Sequence, residues 1–281
     1  MIFSTLVSAD TLARHLDDPD WVIIDCRHDL AQPDAGRTAY AESHIPQARF
    51  AHLDQDLAGA TIDTNGLFRG RHPLPEQERF IETLRNWGIH DTTQVVIYDA
   101  QGGMFAARLW WMLRWVGHSA VAVLDGGWQA WLAARHPVTA EAHSNNKGSL
   151  TQRPALVSAV SADDILHNLH TRQHTLVDAR APDRFRGENE TIDPVGGHIP
   201  GAINRFFKDN LQADGHFKNS TQLREEWLRL IDQPQQAIMQ CGSGVTACHN
   251  LLALEVAGLS GAALYPGSWS EWCADTRRPV A

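Results

Sequence analysis

Short apolar runs rich in β-branched residues recur along this chain, and longer stretches with apolar residues at helical spacing lie between them. Residues 95–98 form one such run, 105–116 a helix-patterned stretch, and 121–124 the next run. The alternation predicts βαβ units, and hence an α/β fold in which a parallel sheet carries helices on both faces. Residues 237–240 read as a further buried strand. A helix over 246–257 follows, and Gly258 ends it by offering left-handed backbone.

The pattern occurs twice. Val22-Ile-Ile-Asp25-Cys-Arg27 is echoed by Thr175-Leu-Val-Asp178-Ala-Arg180, and each is followed about twenty residues later by His-Ile-Pro-x-Ala, at His44 to Ala48 and His198 to Ala202. Val95-Val-Ile-Tyr-Asp99 lines up with Ala237-Ile-Met-Gln-Cys241, and Leu124-Asp-Gly-Gly-Trp128-x-x-Trp131 with Tyr265-Pro-Gly-Ser-Trp269-x-x-Trp272. Four echoes in one order predict a duplicated domain. The expected division is a first domain over 1–136, a linker over 137–154 and a second domain over 155–281. The linker is rich in Ala, Ser and Asn with a proline at each end, which suits neither a core strand nor a long helix. Residues 61–75 have no counterpart in the second half. With Gly66, Gly70 and the run Arg69-Gly-Arg-His-Pro, they predict a loop reaching toward the other domain.

Composition narrows the function classes. A chain of 281 residues with 43% hydrophobic content has enough apolar material for two cores. With 24 Lys and Arg against 33 Asp and Glu, the net charge of −9 predicts no broad basic face for nucleic acid or an anionic membrane. Any anion is therefore gripped locally. Lys147, Lys208 and Lys218 are the only lysines, so nearly all positive charge is arginine, whose planar fork matches carboxylates and other oxyanions. No apolar run approaches the ~20 residues of a membrane span. Residues 1–16 lack the basic, apolar, small-residue order of a signal peptide, and a cytoplasmic protein is expected. Cys26, Cys241, Cys248 and Cys273 include no CxxC pair and are too sparse for a disulfide framework, so free thiols in a reducing compartment are expected.

The candidate chemistry lies between the strand at 237–240 and the helix at 246–257, in Cys241-Gly-Ser-Gly-Val-Thr246. Two glycines let the backbone turn tightly and bring its N–H groups around the first loop position. The helix N-terminus adds partial positive charge, which favours the anionic form of a thiol there and makes Cys241 a candidate nucleophile. The competing reading is a small buried apolar residue at a strand end. The duplication weighs against it, because the first half has Asp99 at the equivalent position and lacks the Gly-x-Gly loop.

These residues carry a resemblance. Asp178-x-Arg180 followed by Gly197 to Ala202, the loop Cys241 to Thr246, and Tyr265-x-Gly-Ser-Trp-x-Glu-Trp272 resemble the rhodanese family over essentially the whole chain, and within it the tandem-domain 3-mercaptopyruvate sulfurtransferases. The resemblance implies two rhodanese-like domains, each a parallel sheet flanked by helices, with an inactive first domain and a catalytic second one. It implies a sulfurtransferase needing no metal and no organic cofactor. Sulfur would pass from 3-mercaptopyruvate through a Cys241 persulfide to a thiol or cyanide, with a thioredoxin-like protein as one candidate acceptor. Ser243 with His72 and Asp54 matches the family's Ser-His-Asp relay, which handles a proton as the pyruvate enolate leaves. Arg184 matches the residue that grips the donor's carboxylate or sulfonate, and Arg186 is a weaker candidate for that task. Gly242, Gly244, Val245 and Thr246 complete the loop whose N–H groups hold the sulfur anion.

One departure bears on the donor. No Lys or Arg occurs between Arg186 and His198, where these enzymes usually supply a second arginine, and this keeps thiosulfate open as an alternative donor. Gly242 and Ser243, standing where thiosulfate-specific members have Arg and Lys, favour mercaptopyruvate. A rhodanese-like phosphatase with a Cys-x5-Arg loop is set aside because Ala247 occupies the arginine's position. A non-catalytic rhodanese binding module stays open, as does a relay to one dedicated protein acceptor. Asp178 with Arg180 is expected to be structural, since Asp25 and Arg27 repeat it, and Trp269 and Trp272 are expected to pack beneath the loop. Cys248 and His249 suggest a metal site with Cys241 only superficially, for want of a fourth ligand.

Overall fold

In the computed structural model, which describes residues 2–143 and 146–281, the apolar runs become ten strands in two five-stranded sheets, all paired in parallel. The first sheet contains β1 (Leu6–Val7), β2 (Trp21–Asp25), β3 (Arg49–Phe50), β4 (Gln94–Tyr98) and β5 (Val121–Leu124), in the order β1-β5-β4-β2-β3. The second contains β6 (Ser158–Ala159), β7 (Thr175–Asp178), β8 (Ile203–Asn204), β9 (Ala237–Gln240) and β10 (Ala263–Leu264), in the order β6-β10-β9-β7-β8. The permutation is the same, as the internal repeat requires, and the expected α/β class holds.

Every residue of β4, β5 and β9 is buried. That is the state of a parallel strand covered on both faces, and it explains why these runs are apolar throughout rather than alternating. The covering helices follow the same logic. In Ala106–Trp115 residues 106–113 are all buried, and in Thr246–Val256 residues 247–254 are all buried. A helix without a polar face is a core element. The loop at the start of Thr246–Val256 is thus anchored at one end to a central strand and at the other to a buried helix.

Two compact units result. One gathers the residues up to Ala58, Pro75–Leu156 and Gln212–Phe217; the other gathers Gly59–Leu74, Val157–Leu211 and Lys218–Ala281. Segment Gly59–Leu74 thus folds as part of the second unit although it lies in the first half of the sequence. Described residues of the 137–154 stretch form no helix or strand beyond an isolated bridge from Thr139 to His44. They lie against the first unit through Gly148 N to Arg85 O (2.7 Å) and Leu150 N to Ile89 O (3.1 Å). Ser144 and Asn145 of that stretch lie outside the described residues.

The paired Asp-x-Arg motifs serve the fold in both units. The Asp178 carboxylate accepts from the backbone N–H of Arg180 (2.9 Å) and from its guanidinium (2.7 Å), and Arg180 lies 4.8 Å from the Trp269 ring. Asp25, Arg27 and Trp128 repeat this at 2.9, 2.6 and 4.5 Å. Trp269 and Trp272 are fully buried, and each indole N–H finds a carbonyl, Val195 O at 2.9 Å and Pro279 O at 2.8 Å.

Candidate active site

Cys241 follows β9, the central strand of the second sheet, at its carboxyl end. Open parallel sheets bind ligands there, because strand ends and helix N-termini converge on that edge. The loop backbone is fixed from outside. Cys241 N–H donates to Ser268 Oγ (3.0 Å), and the carbonyls of Cys241 and Gly242 accept from Trp269 N and Ser270 N, both at 2.9 Å. Gly244 has φ +75°, and a Cβ there would stand 2.3 Å from Pro266 O, so the turn admits only glycine. Val245 caps the helix Thr246–Val256, which opens directly behind the loop.

Ser243 and His72 meet: both are buried, and Ser243 Oγ lies 2.8 Å from His72 Nδ1. Asp54 belongs to the first unit, in the short helix Leu53–Asp56. Its backbone N–H donates to His52 Nδ1 (3.2 Å) and its carboxylate is 43% exposed.

Arg184 sits in Pro182–Phe185 and turns its guanidinium onto Glu190 (2.8 and 2.9 Å) and Asp193 (3.3 Å). Arg186 is placed differently from the expectation, in a surface pair with Glu188 at 2.7 Å with both side chains 54% exposed. Beside Arg184 stands Arg71, which the motifs along the chain do not single out. Its Nη1 pairs with Asp193, and a Cβ built on Gly242 would lie 2.9 Å from its Nη2 and 3.7 and 3.8 Å from the terminal nitrogens of Arg184. The absence of a side chain at position 242 is what lets two guanidinium groups stand over the residue after the cysteine. A signal for Arg71 was available: it immediately precedes His72 in the one loop without a counterpart.

The acids around these arginines differ in state. Burial pushes the Asp193 carboxyl up from its ordinary value, against the pull of Arg71. Burial acts the same way on Glu190, but the N–H groups of Asp193 and Ile192 and the Arg184 guanidinium bring it below the ordinary range. Of the four cysteines, all free and buried, Cys26 is lifted well above its ordinary value by burial, and Cys273 to about 11 by the same cause. Both stay protonated near neutral pH and are poor nucleophiles. Cys248 donates its S–H to Gly244 O at 3.3 Å, a contact that ties the helix to the loop.

Among the described residues one set of metal-ligating side chains converges, His28, His52 and Asp54, with ligand atoms within 4.8 Å. His52 Nδ1 already accepts the Asp54 N–H there, so that nitrogen is engaged in capping the helix. No helix among the described residues is long and apolar enough to cross a membrane.

Comparison with known proteins agrees with this layout. The rhodanese-like domain family matches residues 8–134 and 161–275. A Pseudomonas aeruginosa protein named as a probable 3-mercaptopyruvate sulfurtransferase is 44% identical, over 100% of this chain and 99% of its own length. The thiosulfate sulfurtransferase of Mus musculus is 34% identical over 97% of this chain and 93% of its own. Among solved structures, SseA of Escherichia coli, described as a 3-mercaptopyruvate sulfotransferase, superposes with a TM-score of 0.81 at 31% identity, covering 95% of this chain and 100% of that one.

Proposed function

We propose, from the premise that this chain belongs to the rhodanese family and is a sulfurtransferase of its tandem-domain kind, that Cys241 carries sulfur from 3-mercaptopyruvate to a thiol or cyanide. The observation that carries the reading is a cysteine at the end of a central parallel strand, in a glycine-built loop at a helix N-terminus, with two arginines over the next residue. Position 99, the equivalent in the first unit, is an aspartate, so we read the first domain, over residues 1–136, as non-catalytic and residues 155–281 as catalytic.

The Cys241 thiolate attacks the donor sulfur. A sulfur–sulfur bond forms, the carbon–sulfur bond breaks, and its electron pair leaves on carbon as the pyruvate enolate. The proton of the donor thiol moves to that carbon, giving pyruvate and an anionic Cys241 persulfide. Ser243 and His72, 2.8 Å apart, are suited to carry this proton, and Asp54 is the expected third member of the relay. Loop N–H groups from Gly242 to Thr246 stabilise the sulfur anion. Cyanide or a thiolate then takes the outer sulfur, leaving as thiocyanate or a new persulfide and restoring the Cys241 thiolate. Arg184 grips the donor carboxylate. A thioredoxin-like protein is a fitting thiol acceptor, and a reducing cytoplasm suits four free cysteines.

Thiosulfate remains the second reading, since the named relatives include enzymes of both kinds. The test is to treat the protein with each donor, map added mass by peptide mass spectrometry, and compare kcat/KM. One extra sulfur on the peptide bearing Cys241 and a kcat/KM for mercaptopyruvate at least about tenfold higher are expected. A thiosulfate advantage would reverse the donor. Absence of sulfur on that peptide would reject the mechanism.

A further inference from the structure

The sequence has no arginine between Arg186 and His198, yet two guanidinium groups stand over Gly242. One comes from Arg184 and the other from Arg71, whose backbone N–H is held by Ser270 Oγ at 3.1 Å in the same unit. Asp193 joins them, accepting from Arg184 at 3.3 Å and pairing with Arg71, and its side chain is only 3% exposed. Glu190 engages Nε and Nη2 of Arg184.

We propose that Arg71 is the second arginine of a donor-carboxylate clamp and fixes the choice of donor, with Asp193 as the internal carboxylate that holds the clamp together and that the donor displaces. This rests on the sulfur-transfer role of Cys241. In mercaptopyruvate three covalent bonds separate the sulfur from the carboxylate carbon, a span of roughly 4 Å and close to the spacing of adjacent Cα atoms. A donor whose sulfur meets Cys241 therefore sets its carboxylate over Gly242, where Arg71 and Arg184 stand. In thiosulfate the charged group is bonded directly to the transferred sulfur, and its oxygens fall short of that position. Two planar forks on one carboxylate give both charge and orientation. Burial already disfavours the charged form of Asp193, so an incoming carboxylate competes with a weakly held one.

Two thiol-specific reagents read the clamp without turnover. In 2-carboxyethyl methanethiosulfonate three covalent bonds separate the sulfur that Cys241 captures from the carboxylate carbon, as in mercaptopyruvate, and ethyl methanethiosulfonate is its neutral counterpart; each forms a disulfide with Cys241 and releases methanesulfinate. In Arg71→Gln the rate of Cys241 modification by the carboxylate reagent is expected to fall about tenfold while that by the neutral reagent stays within about twofold. In steady state the same variant raises KM for mercaptopyruvate more than for thiosulfate. Asp193→Asn is expected to act in the opposite sense, speeding the carboxylate reagent and lowering KM for mercaptopyruvate, and it tests the idea even should Arg71→Gln fold poorly. An unchanged ratio of the two modification rates in either folded variant overturns the clamp alone. If neither reagent modifies Cys241 in the unaltered protein, the sulfur-transfer reading fails and the clamp with it.

Discussion

At the end of β4 and at the end of β9 the same backbone plan meets two different residues. In the first unit the Asp99 carboxylate accepts four backbone N–H groups, from Gln101 (2.8 Å), Gly103 (2.9 Å), Phe105 (2.8 Å) and Ala106 (2.9 Å). The strand-loop-helix corner is thus an anion cradle, here filled by the chain's own side chain. In the second unit the residue at that point is Cys241, and a Gly-Ser-Gly loop precedes the helix. A carboxylate fixed by its own backbone fills the cradle for good, whereas a thiol can gain and release a sulfur atom there. Duplication supplied one corner that stabilises the fold and one that is fitted for chemistry.

The comparison breaks most visibly at its centre. Cys241→Ser is expected to lower sulfur transfer with both donors by more than about a thousandfold, since a hydroxyl neither ionises at neutral pH nor forms a persulfide. Retained turnover would put the nucleophile elsewhere. The complementary change, Asp99→Ala, orphans the three buried N–H groups of Gly103, Phe105 and Ala106 and the partly buried one of Gln101, and is expected to cost about 3 kcal/mol in urea unfolding, whereas Cys241→Ala costs under about 1 kcal/mol. Equal losses would mean that the two corners do the same work.

Smaller changes sharpen the contrast. Ser243→Ala removes the hydroxyl from His72 and is expected to lower kcat for mercaptopyruvate about tenfold, with a smaller effect on thiosulfate, which releases no enolate. An equal loss with both donors would tie Ser243 to loop structure instead of proton transfer. The smallest effect concerns Glu190. Its folded carboxyl titrates below its ordinary value of 4.5, so its contribution is present above that value and is lost as pH falls through the folded value. Glu190→Gln should therefore lower stability by about 1 kcal/mol at pH 7, with the gap closing as the pH drops below about 4.5. A gap independent of pH would show that the charge on Glu190 does not matter.

Much of this was legible along the chain. The strands Gln94–Tyr98 and Ala237–Gln240, the helix after Cys241 and the exchange of Asp99 for Cys241 are local patterns, and residues 246–257 with Gly258 differ from the helix Thr246–Val256 only at its frayed end. Arg186 was the weaker choice because a motif two residues long cannot tell which of two arginines faces the loop; Glu188 claims it at the surface. For Arg71 the neighbouring His72 marks the loop but not the anion that the side chain faces, because its partner Asp193 is 122 positions away.

The sequence by itself determined the duplicated α/β plan, the identity of the residue at each cradle and the glycine-built loop, because these depend on spacing among near neighbours. Only the tertiary structure decided that Ser243 meets His72 across 171 positions, that Ser268 holds the Cys241 amide, and that Arg71 stands with Arg184 over Gly242. Such meetings are set by how sheets and covering helices close on one another, and residues far apart in sequence leave no local periodicity to record them.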